Sequence, residues 1–142
     1  MCYACKISII ADTENIVRVA LLEPGNVHDA QILRNSLDSF ETSGRVKCLA
    51  DSGYIGSKLY KECSDRNIEL IAQPRKTRGG GRTHELTAEN QALLKKHRSC
   101  IEHLNSQIRM FRGLNVKYVK KISTFKSFLF LSISSYNLFM RP

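Results

Sequence analysis

The short run Val46-Lys47-Cys48-Leu49-Ala50, closed by Asp51-Ser52-Gly53, constrains this chain more than any other segment. Five residues without polar alternation, stopped by turn residues, predict a central strand covered on both faces. Ile68–Ala72 is a second short run of the same kind, and Ser57–Arg66 between the two has helical character. Strand, helix and strand in that order predict an α/β unit with two parallel strands.

The remaining segments extend the pattern. Lys6–Ala11 and Ile16–Leu22 read as a hairpin turning through Asp12-Thr13-Glu14-Asn15. Glu23-Pro24-Gly25-Asn26 reads as a turn, because Pro24 and Gly25 both break strands. His28 or Asp29 caps a short helix running to about Leu37, with Ile32, Leu33 and Leu37 on its apolar face. Ser39–Arg45 is a polar loop. Gln73–Thr83 holds four cations (Arg75, Lys76, Arg78 and Arg82) and three consecutive glycines, so no packing is expected there without a partner. A helix then runs over residues 85–112, with Leu94, Ile101, Leu104, Ile108 and Phe111 near a 3.6 period and Gly113 as its stop. A last amphipathic helix over 123–139 is expected to pack across the sheet. The predicted order is ββαβαβ followed by two helices, as one domain over residues 1–142.

Charge narrows the partners. The net charge is +9, but residues 1–72 carry eight Lys/Arg against ten Asp/Glu, whereas residues 73–142 carry fourteen against three. A basic half of this kind is the footprint of a polyanion, nucleic acid ahead of an anionic membrane surface. The C-terminal apolar stretch is too short and too rich in serine and lysine to span a bilayer. No signal peptide is visible, so a cytoplasmic protein is expected. The five cysteines are odd in number and irregularly spaced. Cys48 and Cys100 read as buried small hydrophobes in a reducing compartment, and Cys2-Tyr3-Ala4-Cys5 lacks the second Cys or His pair that a zinc site needs.

Two carboxylates carry the chemistry. Asp51 stands at the end of a strand, where open α/β sheets bind ligands, although aspartate before Ser-Gly is also ordinary turn chemistry. Glu102 lies among cations on the long helix: Lys95, Arg98, Glu102, Asn105, Arg109 and Arg112 follow steps of three and four and share one face. One reading is a weak i, i+4 ion pair between Arg98 and Glu102 on a solvated helix. The other is a metal-ligand carboxylate flanked by phosphate-binding guanidinium groups, since hard cations such as Mg²⁺ take oxygen ligands and share them with phosphate. The residues alone leave the two readings level.

Leu49-Ala50-Asp51-Ser52-Gly53-Tyr54, followed some fifty residues on by Arg98-x-x-x-Glu102 and Arg109, resembles the catalytic domain of bacterial insertion-sequence DDE transposases. Glu23-Pro24-Gly25-Asn26-Val27-His28-Asp29 is similar to that family's Pro-Gly-Asn-x-His-Asp turn, and Gln73-Pro74-Arg75-Lys76 follows the expected strand. The similarity runs from Lys6 to about Tyr136, and Lys95 stands where the family has tyrosine. The resemblance implies an α/β, RNase H-like mixed sheet with flanking helices, and a two-metal site of Asp, Asp and Glu using Mg²⁺, with Mn²⁺ as a substitute. Asp51 matches the second aspartate and Glu102 the glutamate. Two ions about 4 Å apart would serve strand cleavage and transfer at a transposon end. Arg75, Lys76, Arg78, Arg82, Lys95, Arg98, Arg109 and Arg112 are the expected DNA contacts, with transposon ends and target DNA as partners.

The family's first aspartate lies on a strand before the hairpin, and Met1–Cys5 contains no acid. The chain is therefore expected to be a C-terminal portion of a transposase, lacking its first central strand, inactive alone, and derived from a decayed or frame-split gene. It would assemble as a homodimer or with full-length transposase. The alternatives are a non-catalytic DNA-binding remnant, and a stand-alone nuclease in which Asp12 or Asp29 supplies the missing acid.

Overall fold

The computed structural model describes residues 5–39, 44–76, 78–79, 81, 83–110 and 121–140, with the backbone alone at 105, 109 and 110. Cys2, residues 40–43 of the polar loop, Arg82, Phe111, Arg112 and Gly113 lie outside the described residues, as do the side chains of Asn105 and Arg109. The elements are β1 (Cys5–Ala11), β2 (Val17–Pro24), α1 (Asp29–Ser36), β3 (Val46–Ala50), α2 (Ser57–Ser64), β4 (Ile68–Ala72), α3 (Ala88–Met110) and α4 (Ile122–Met140). Short 3-10 turns follow α1 at Leu37–Ser39 and β3 at Ser52–Tyr54. The expected mixed α/β order is present. The strands form two two-stranded sheets, β1 antiparallel to β2 and β3 parallel to β4. Two compact units result, one from residues 1–24 with 98–142, the other from residues 25–97.

In the first unit, Asp12 builds the hairpin turn. Its Oδ1 accepts the N–H groups of Glu14 at 3.0 Å and Ile16 at 2.9 Å, and its Oδ2 meets Arg18 at 2.7 Å. Asn15 takes a left-handed φ of 63°, which asparagine tolerates through its short polar side chain. Pairing continues to Cys5↔Pro24, so Glu23 and Pro24 belong to the strand rather than to a turn. Proline is admissible at such a strand end, where its missing N–H costs no ladder bond. Leu129, Ile133 and Tyr136 of α4 pack with Val17, Leu104 and Ile108 to make the core. The Asn137 side chain closes it: its Oδ1 accepts the Val17 N–H at 3.0 Å and its Nδ2 donates to the Val17 carbonyl at 2.9 Å.

Helix α4 corrects one expectation. It packs on β2 as anticipated, yet it is not amphipathic: Phe128, Phe130, Leu131, Leu138 and Phe139 are exposed opposite the buried Leu129, Ile133 and Tyr136. No helix among the described residues is long and apolar enough to cross a membrane.

In the second unit, the β3–β4 register runs from Val46↔Ile68 to Ala50↔Ala72, with α2 as the connection. Leu59 and Cys63 bury one face of α2, and Asn67 at φ 59° turns the chain into β4. Arg34 of α1 grips Glu62 of α2 through a fork of two hydrogen bonds, at 2.6 and 2.8 Å. This geometry is stronger than a single-point surface pair. The expectation of a fully covered β3 is reversed. Val46 is 40% exposed and Cys48 to Ala50 are half-buried, whereas β4 has Ile68, Leu70, Ile71 and Ala72 buried. The two strands have only each other as ladder partners among the described residues, and helix α2 packs on β4, so β4 takes the covered position.

Candidate functional site

In the second unit the chemistry-bearing residues gather at the C-terminal ends of β3 and β4. Past the last register pair, the Gln73 N–H donates to the Ala50 carbonyl at 3.0 Å, so both strands release their chains at the same level. Asp51 leaves β3 there and caps the 3-10 turn, its Oδ1 accepting the Ser52 N–H at 2.6 Å. The turn is closed by Tyr54 N–H on the Asp51 carbonyl at 3.1 Å. Of the two anticipated roles of Asp51, the turn former is observed: Oδ1 serves the turn, and the side chain is exposed at the strand end.

A second acid abuts this turn. A Cβ placed on Gly53 would fall 2.5 Å from Asp29 Oδ2 and 3.3 Å from Asp29 Cβ, so the two segments are in close approach and a larger residue at 53 would push the Asp29 side chain aside. His28, not Asp29, caps α1, its Nδ1 accepting the Ala30 N–H at 3.3 Å. The Pro24–Asp29 and Asp51–Tyr54 motifs are thus neighbours, a relation no spacing in the sequence discloses. Their only sequence signal is Gly53 itself.

The basic segment leaves β4 at the same level. Its base is hydrogen-bonded, contrary to the expectation that it packs nowhere: the Thr83 N–H donates to the Arg75 carbonyl at 3.0 Å, and the Arg75 N–H donates to Thr83 Oγ1 at 3.1 Å. Arg75, Lys76 and Arg78 are exposed beyond that closure. Burial pushes the Cys48 thiol up to about 11, and the neighbouring Cys63 adds to the shift, which keeps both thiols protonated and unreactive at neutral pH. Cys63, which sequence reasoning passed over, is the fully buried thiol; Cys100 is half-buried.

Glu102 belongs to the first unit, on α3. Its Oε1 meets Arg98 Nε at 3.3 Å as an i, i+4 pair with both side chains about two-thirds exposed. The solvated-helix pair is therefore real, and pairs so exposed contribute little to stability. Lys95 is exposed on the same helix. Leu104 and Ile108 enter the core as their periodicity predicts, but Ile101 is 47% exposed. Among the described residues no three His, Cys, Asp or Glu side chains form a ready-made metal cluster.

A family model described as the transposase DDE domain matches residues 2–138, nearly the whole chain and both units. No curated protein and no solved structure matches it.

Proposed function

The chain belongs to the transposase DDE domain family, and from that membership we propose that it is a DNA-transposition catalytic domain of RNase H-like fold, working by Mg²⁺-dependent phosphoryl transfer. The observation that carries this reading is that Asp51 and the base of the cationic segment leave adjacent parallel strands at one level. An acid for a divalent ion beside cations for a phosphodiester backbone is the pairing such chemistry requires.

The donors fit a hard cation. Asp51 and Glu102 offer carboxylate oxygens, and the Ser52 N–H holds one oxygen of Asp51. When bound, Mg²⁺ (or Mn²⁺ in its place) would neutralise charge on the scissile phosphate and lower the pKa of the attacking water or hydroxyl. Arg98 Nε donates to Glu102 Oε1 at 3.3 Å on the exposed helix surface. Arg75, Lys76 and Arg78, with Arg82, track the DNA backbone, while Lys95, Arg98, Arg109 and Arg112 add cations along α3. Among the residues present, Asp51 and Glu102 match the second aspartate and the glutamate of the family's triad. The chain's partners are transposon ends and target DNA on the cytoplasmic nucleoid, bound as a homodimer or in mixed assembly with full-length transposase. The Asp29–Gly53 approach favours a second reading, in which Asp29 provides the triad's first acid itself.

Titration of Mn²⁺ into the wild type, Asp51→Asn and Glu102→Gln tests the assignment. Binding should weaken in both variants, because each loses one charged oxygen donor. Equal binding by all three proteins removes these acids from the metal site. Mg²⁺-dependent nicking by the chain alone that disappears in Asp29→Asn would select the second reading.

A further inference from the structure

His84 sits where the basic segment rejoins the fold, and neither its spacing nor the family motifs give it a role. Its Nε2 lies 3.0 Å from the Ala72 carbonyl, the last of β4, and its Nδ1 lies 3.2 Å from Thr83 Oγ1. Its ring meets Tyr60 of α2 edge to face, with centroids 6.0 Å apart. A carbonyl can only accept, so Nε2 carries the hydrogen. Thr83 Oγ1 already accepts the Arg75 N–H at 3.1 Å, which leaves its own hydrogen to donate to Nδ1. The chain of donors is complete in one direction: Arg75 N–H to Thr83 Oγ1, Thr83 O–H to His84 Nδ1, His84 Nε2–H to the Ala72 carbonyl.

We propose that His84 is the positioning residue of the cationic segment, pinning its base to the end of β4 and to α2 so that Arg75, Lys76 and Arg78 are presented beside Asp51 before DNA arrives. The proposal rests on the DNA-transposition reading and adds to it how the cations are held. A segment with glycines at 79, 80 and 81 is costly to order on binding. Closing its base in advance removes part of that cost, and apparent affinity rises with the fraction of chains already in the competent form. Tyr60 contributes the wall. Its hydroxyl is buried and has no hydrogen-bond partner among the described residues, so the ring serves here as a packing surface for the imidazole.

The test compares wild type, His84→Ala and His84→Gln in binding a 30-base-pair duplex at low salt, together with amide exchange of each free protein. The glutamine Nε2–H can reach the position of the imidazole Nε2–H, whereas alanine offers nothing. His84→Ala should weaken binding about five- to tenfold, the worth of one or two net hydrogen bonds. His84→Gln should return to within about twofold of wild type. In His84→Ala the Arg75 and Thr83 amides should exchange faster while Leu70 and Ile71 in β4 stay protected. Unchanged DNA affinity in His84→Ala, or a glutamine variant as weak as alanine, overturns the positioning role. Loss of β4 protection along with the segment overturns it as well, since His84 would then support the fold generally. A wild-type chain that binds no duplex at low salt sinks the DNA reading itself, an outcome distinct from intact binding in the variant.

Discussion

The two units hold their acids by opposite means. Residues 25–97 form a contiguous stretch in which the surroundings of Asp51 are set by backbone hydrogen bonds and a glycine contact, all within one α/β segment. The other unit joins the two ends of the chain, residues 1–24 with 98–142, and Glu102 lies on an exposed helix face with a solvated ion pair. Its integrity rests on an apolar core and on Asn137, which is 120 residues from its partner Val17. The first arrangement preorganises an acid locally. The second leaves its acid free to turn but depends on long-range closure, which carries a larger loop entropy.

The largest expected effect breaks that closure. Asn137→Ala leaves the Val17 N–H and carbonyl without their side-chain partner at a buried residue and should cost about 2–6 kcal/mol, at roughly 1–3 kcal/mol for each unsatisfied group. Asn137→Asp should not rescue it, because a carboxylate facing the Val17 carbonyl can only repel. Amide exchange should show loss of protection in β1 and β2 with β3 and β4 little changed. A uniform loss across all four strands would show that the two units do not respond separately.

Next comes the glycine contact in the other unit. Gly53→Ala drives a methyl toward Asp29 Oδ2 and should destabilise by about 1–3 kcal/mol, the usual range for overpacking. In an Asp29→Ala background the cost should fall, since the 2.5 Å contact is with a carboxylate oxygen; the 3.3 Å contact with the Asp29 Cβ remains. Strict additivity of the two substitutions in a double-mutant cycle would disprove the contact.

Much of this frame is legible in the chain itself, and the exceptions have definite causes. β3, β4 and the α1 core residues follow from short apolar runs and helical spacing, which are local properties. Pro24 ends a strand rather than opening a turn, because its effect depends on which side of the strand end its missing N–H faces, and that is a tertiary fact. The covering of β3 is less than its run suggests, because an apolar run reports what a strand can bury, not which strand the neighbouring helix packs on. The nearness of Asp29 to the Asp51 turn is invisible to spacing, since it is created by helix α1 meeting a turn far along the chain. In helix α4 the serines and Lys126 suggest a wet face, yet Ser132 is buried while Phe128 and Phe130 are exposed.

Acid should separate the units by a smaller margin. For Asp12, partial burial opposes ionisation, but the Ile16 and Glu14 N–H groups and Arg18 outweigh it and hold the carboxyl below its ordinary value of 3.8. A carboxyl depressed in the folded state stabilises above its unfolded pKa, and that contribution is lost as pH falls through the folded pKa. Protection of the β1–β2 amides should therefore decline below about pH 4, and Asp12→Asn should flatten the decline. An equally steep decline in the variant would place the acid sensitivity elsewhere.

The smallest expected effect is at the other acid. Arg98→Ala removes an ion pair with both partners about two-thirds exposed, and pairs of this type on helices are worth about 0.3–0.5 kcal/mol. Melting should thus shift by no more than about 1–2 °C for a chain of this size, and raising the salt should erase the difference. Function should respond in a way stability does not. Removing the guanidinium takes a competing cation from Glu102, so Mn²⁺ binding should hold or improve while DNA binding weakens and its salt dependence falls by about one contact. Those opposite signs distinguish a phosphate-positioning arginine from a structural one. A large melting loss, or weaker metal and DNA binding together, would mean that Arg98 holds the helix surface in place, and the contrast between a rigid Asp51 and a free Glu102 would have to be given up.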